Sequence, residues 1–134
     1  MMPDHRSIGD SGALRATSTA EGRHGAYRQE IDHFRRARRD RDWAACWRYL
    51  ERAHIIARPL FRLHISSHFE MLSFAVSRGD TREIFGQLLR IMLVPLGALT
   101  GRLPVGNTGR ALVSAFVPMT VPDDLQPYVR PGAR

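Results

Sequence analysis

The chain contains no lysine; all 20 basic residues are arginine. No fold requires that choice, so it reads as codon bias. A single cysteine, Cys46, excludes an intrachain disulfide. It lies inside a helical apolar pattern, where a free thiol acts as a small hydrophobe. A reducing, cytoplasmic setting is the natural expectation. Long apolar runs are also missing. The longest, Ile91 to Leu99, carries Pro95 and Gly97 and is too short to cross a bilayer. Residues Met1 to Arg23 hold no apolar targeting segment. No membrane insertion is expected. The turn Gly106-Asn107-Thr108-Gly109 is followed by no Gly-Lys-Ser/Thr, which excludes a P-loop. Successive amides in it are an anion nest at best, and a structural turn is the plainer reading. Cys46 stands two turns from His54 on one helix, too far for direct activation. No Ser-His-Asp set can be argued either, so enzyme activity stays open.

What is present suits one soluble domain. The chain has 134 residues, 43% hydrophobic and 25% charged, with a formal net charge of +7. Arg35, Arg36, Arg38, Arg39 and Arg41 form a basic run without interleaved aromatics or a nucleic-acid motif. It reads as a solvated helix face, and nucleic acid is not an expected partner.

Apolar periodicity predicts four helices. The first spans Gly25 to Arg41, on Tyr27, Ile31, Phe34 and Ala37 or Arg38. The second spans Trp43 to Arg58, capped by Asp42, with Trp43, Cys46, Trp47, Leu50, Ala53, His54 and Ala57 inward. Both tryptophans read as core. Pro59 ends that helix. The third spans Leu60 to Arg78, with Phe61, His64, Ile65, His68, Leu72, Ala75 and Val76 on one face and Gly79 as stop. The fourth spans Thr81 to Val94, capped by Asp80, with Ile84, Phe85, Leu88, Ile91 and Met92 inward and Pro95 as breaker. Residues 1–23 read as a disordered tail and residues 24–125 as one helical domain. Its Pro/Gly-rich end, from Ala98 to Leu125, is expected to wrap over the helices, with 113–117 extended or a short turn. Residues 126–134 read as a frayed tail.

Shifted by 38 residues, the chain matches itself loosely: Asp42 on Asp80, Leu50 on Leu88, Arg52 on Arg90, Phe34 on Leu72, Ala37 on Ala75. Two antiparallel helix hairpins of tetratricopeptide-like type follow as the expected all-α architecture.

The chemical signal is a group of histidines on apolar faces. Glu51-x-x-His54 and His64-x-x-x-His68 each place two donors one turn apart. His54 lies five residues before Pro59 and His64 five after it, so a hairpin brings them level. His68 follows near Glu51. Glu30 falls at the matching level of the first helix, where Glu30-x-x-His33 repeats the spacing. Glu30, Glu51, His54, His64 and His68 are therefore candidate ligands for zinc, iron, copper, nickel or manganese. The alternative is a structural network of buried, hydrogen-bonded histidines in a protein-interaction module.

Five blocks carry a further resemblance. They are L-E-R-A-H (50–54), H-x-x-x-H-x-x-M-L (64–72), R-E-x-x-G-Q-L-L-R (82–90), P-V-G-N-T-G (104–109) and P-M-T-V-P-D-D-L (118–125). In order and spacing they resemble a bacterial domain-of-unknown-function family of short helical proteins, the one numbered 3703. The resemblance covers Tyr27 to Leu125. It implies a fold unit and no established activity.

Overall fold

The computed structural model describes residues 19–101, 108–111 and 119–129. Among them the chain is all-helical: α1 (Ala20–Arg39), α2 (Trp43–Ala57), α3 (Phe61–Arg78), α4 (Thr81–Thr100), a 3-10 turn at Asp123–Leu125, and one further turn, α5 (Gln126–Val129). α1 packs on α2, α2 on α3 and α3 on α4. α2 and α3 are the inner helices.

The turns explain why the helices end where they do. Arg41 and Gly79, 38 residues apart, both take left-handed φ, 59° and 65°. The following Asp42 and Asp80 share the same backbone, φ near −81° and ψ near 87°. Asp42 N–H donates to Ala37 O and Asp80 N–H to Ala75 O, each at 3.0 Å. Asp42 then accepts from Ala45 N at 2.9 Å, and Asp80 from Glu83 N at 3.0 Å. Both expected caps are thus present, each satisfying an orphan amide of its helix. Glycine is the low-strain residue at such a φ; Arg41 holds it without that advantage.

α1 starts at Ala20, earlier than Gly25, because Thr19 Oγ1 accepts from Gly22 N at 3.1 Å and caps it. The expected tail therefore loses its last residues to α1; residues 1–18 lie outside the described residues. At the other end, Gln126–Val129 forms a helical turn where fraying was expected. Its Tyr128 O accepts from Arg23 Nε at 2.6 Å. Arg52 reaches both Glu30, at 3.0 Å, and Asp124, joining α1, α2 and the 3-10 turn.

The apolar core lies where α1, α2 and α3 meet. Phe34, Leu50, Ile56, Met71 and Phe74 fill it, with Val121 and Leu125 from the C-terminal stretch. Phe74 is the hub, with Phe34 and Trp47 edge-on to its ring at 5.4 and 5.0 Å. Cys46 is buried there, and burial raises its thiol pKa. Trp43 and Trp47 are half-buried against this core.

Two faces differ from expectation. On α3 the buried row is His64, Ser67, His68, Met71, Phe74 and Ala75, while Phe61 and Val76 are exposed. Met71 and Phe74 take the place in the core, with Phe74 against the Phe34 and Trp47 rings. On α4 three of the five residues expected inward are exposed, while Ile84 and Ile91 are half-buried. Glu83, Gln87, Arg90 and Val94 are buried, whereas Phe85, Leu88 and Met92 are exposed. α4 also continues through Pro95 to Thr100 and stops at Gly101, φ 67°. Pro95 removes one backbone N–H bond, and the helix persists past it. The resulting 20-residue helix is long and apolar enough to cross a membrane by length and composition. Of the expected C-terminal wrap, residues 102–107 and 112–118, which include 113–117 and 106–107, lie outside the described residues.

Candidate metal centre

His54 comes from α2, and His64 and His68 from α3. The break at Pro59 sets the level of α2 against α3, so residues equally distant from it meet. His54 Nε2 lies 3.1 Å from His64 Nε2, and His68 Nε2 lies 3.2 Å from the same atom. All three rings are buried. Each offers one ligand atom within 4.8 Å of the others.

Burial favours the neutral form of His64 and of His68. Burial lowers the His64 pKa to about 3, helped by His68 and by the Arg58 guanidinium. Burial lowers that of His68 to about 4, against a hydrogen bond it donates to Gln87 that acts the other way. Neutral imidazole is the form that binds metal.

Gln87 fixes the orientation of His68. Its amide nitrogen donates to Glu83 Oε1 and to Gly109 O, both at 2.7 Å. Its oxygen therefore faces His68 Nδ1, 2.8 Å away, and that nitrogen must donate. His68 Nε2 is left as a lone pair aimed into the cluster. Such second partners hold metal-binding histidines in one tautomer. His64 Nδ1 is buried with no hydrogen-bond partner among the described residues.

A polar chain continues outward. Glu83 accepts from Arg110 Nε and from Ala111 N, both at 3.1 Å. Arg110 Nη1 donates to Glu51 Oε1 at 3.1 Å, and its guanidinium lies 3.7 Å over the Trp47 ring. Gly109 sits at φ 80°, and a Cβ there would come within 3.0 Å of the His54 ring. Glycine is needed there twice over, for backbone and for space. On α4, a Cβ on Gly86 would overlap Ala111.

Of the five candidate ligands, the structure brings three together. Glu51 is held by Arg110; burial raises its carboxyl pKa and the arginine pulls it down. Glu30 is paired with Arg52. Neither belongs to the cluster, because each carboxylate has an arginine partner that periodicity does not reveal. Gln87, Glu83, Gly109 and Arg110 were not singled out for the site. The signal for the first two was two polar residues one turn apart in R-E-I-F-G-Q.

An all-helical protein with a buried tri-histidine cluster is the class that fold and geometry define. The chain belongs to the family of proteins of unknown function designated DUF3703, which matches residues 21–129. No curated protein and no solved structure matches it.

Proposed function

We propose that the chain binds one transition-metal ion through Nε2 of His54, His64 and His68. The observation that carries this is the convergence of three ring nitrogens at 3.1 and 3.2 Å. Ligands at about 2.0–2.1 Å from zinc, in trigonal or tetrahedral array, stand roughly 3.4 Å apart. The two edges at His64 need only a slight expansion to accept the ion, and the third lies within 4.8 Å. Without an ion it is poorly matched. His64 Nε2 carries one proton or none. Carrying it, the nitrogen serves one neighbour well; lacking it, its lone pair faces that of His68. A cation takes all three lone pairs at once.

Three neutral imidazoles without a carboxylate favour zinc or copper over manganese. The site's burial favours holding a metal over catalysis at it. A small cytoplasmic protein that stores or passes on a metal fits these features; the lone buried thiol suits that compartment. Elemental analysis of untagged protein tests the reading. One zinc or copper per chain is expected, with a raised melting temperature on metal addition. His64→Ala should lose both, and His33→Ala neither. Sub-stoichiometric metal in native protein, with no thermal shift, sinks the proposal.

The second reading is a tetratricopeptide-like interaction module with a structural polar network, built from two antiparallel hairpins and a C-terminal wrap as one domain. The matched turns at Arg41 and Gly79 favour the repeat. The hydrogen bonds of Gln87 and Glu83 favour the network. Under it, His64→Ala destabilises the chain equally with and without metal.

A further inference from the structure

We propose that the outward face of α4 pairs with the same face of a second copy of this chain, the two α4 helices antiparallel. The face is a run of Phe85, Leu89, Met92, Leu96 and Leu99, spaced 4, 3, 4 and 3 residues apart. That is the a/d seam of a coiled coil, which a helix fills with knobs in holes. All five side chains are between 57% and 86% exposed. The inward face carries Glu83, Gln87 and Arg90, so α4 cannot turn to bury the seam without dismantling the histidine network.

The internal repeat says what the face is for. Thirty-eight residues upstream of Phe85 and Met92 stand Trp47 and His54. These are the α2 residues that meet α3, through Phe74 and His64. α4 therefore shows outward the face by which α2 receives its next neighbour. In a repeat stack that end needs a cover.

Symmetry and charge select a second copy as the cover. The seam is nearly palindromic about Met92: Phe85 and Leu99 lie seven residues to either side, Leu89 three before and Leu96 four after. An antiparallel copy sets Met92 on its counterpart and Phe85 on Leu99. Gly86, Leu88, Leu93 and Pro95 flank the seam, so the middle of the face has no charge to choose a different partner. Arg82 continues the heptad at the start of α4. A parallel pair would set it against its own copy. An antiparallel pair sets it at the partner's helix C-terminus, whose last turn has no basic residue of its own. The five side chains leave on the order of 600 Å² per copy, and a stable pair of standard size needs about 600–1,000 Å² from each partner.

Sedimentation equilibrium of the full chain in detergent-free buffer tests this. The expected mass is twice the 15.2 kDa of one chain. Met92→Glu and Leu89→Glu should each give the single-chain mass with an unchanged helical circular dichroism spectrum, since both sites face solvent in one chain. Mixed Phe85→Cys and Leu99→Cys chains should cross-link to each other on oxidation, with Cys46 too buried to compete. His64→Ala should keep the doubled mass, which separates this face from the metal site. A single-chain mass for the native protein overturns the proposal. So does a doubled mass in Met92→Glu, cross-linking of each cysteine variant only with itself, or recovery of the native chain only with phosphatidylcholine vesicles.

Discussion

The helix pairs α1–α2 and α3–α4 begin from the same turn and are filled with opposite chemistry. Arg41-Asp42 and Gly79-Asp80 repeat one backbone, with matching caps. Yet Phe34 and Leu50 lie in an apolar core, while α4 presents Glu83, Gln87 and Arg90 inward to α3. The difference teaches that turn and cap set where helices lie, not which face they bury. Burying polar groups costs free energy unless each is hydrogen-bonded. Glu83 meets that condition with three donors: the Gln87 amide, the Arg110 guanidinium and the Ala111 amide. The apolar side of α4 is then left for the outside.

Acid should separate the two pairs most strongly. An unfolded histidine takes up its proton near pH 6.5. In the fold, His64 does so at about 3 and His68 at about 4. Between these values the unfolded chain binds more protons, so stability rises with pH there. The contribution is present above about pH 6.5 and is lost as pH falls toward 4, at roughly 1.4 kcal/mol per pH unit for each imidazole. Urea unfolding at a series of pH values measures the slope. A flat profile between pH 6.5 and 4.5 breaks the contrast.

Phe74→Ala strikes the apolar side. Its ring is fully buried among Phe34, Trp43 and Trp47. The expected loss is about 3–5 kcal/mol, with little change in the pH slope. A loss below about 1 kcal/mol by chemical denaturation would show that Phe74 is not the hub.

Gln87→Leu strikes the polar side at similar volume. It strips His68 Nδ1, Glu83 and Gly109 O of a partner. About 1–3 kcal/mol of stability should go. If the cluster holds metal, affinity should also fall roughly 10–100-fold by competition with a chelator. Unchanged affinity would assign Gln87 to packing alone.

The smallest effects test what the pairs share. Asp42→Ala and Asp80→Ala should each cost about 0.5–2 kcal/mol, and nearly the same amount as each other. A large inequality in thermal unfolding would mean that the two turns are alike only in backbone.

Much of this could be read from the residues. Equal distance from Pro59 was enough to place His54 against His64, because a short break fixes register. Asp42 and Asp80 announced themselves as caps. The domain-of-unknown-function resemblance also held. The carboxylates were read less well. Glu51 and Arg110 stand 59 residues apart, and no local pattern records such a pairing. The α4 face was misread for a related reason. Its apolar and polar rows are both regular, and the partners of Glu83 and Gln87 decide which row turns in. Pro95 misled because a helix survives one missing backbone bond when its other turns hold.

Arg110 gives the protein an optical channel to its interior. Its guanidinium lies over Trp47 and grips Glu51 from α2 and Glu83 from α4. The adjoining Gly109 rests against the His54 ring. A rearrangement of the three imidazoles that displaced Gly109 would move the cation over the indole and alter its emission. Of the two tryptophans, Trp43 is covered by Arg78 at the far turn. The state of a site with no chromophore would then be readable by light, with no label added.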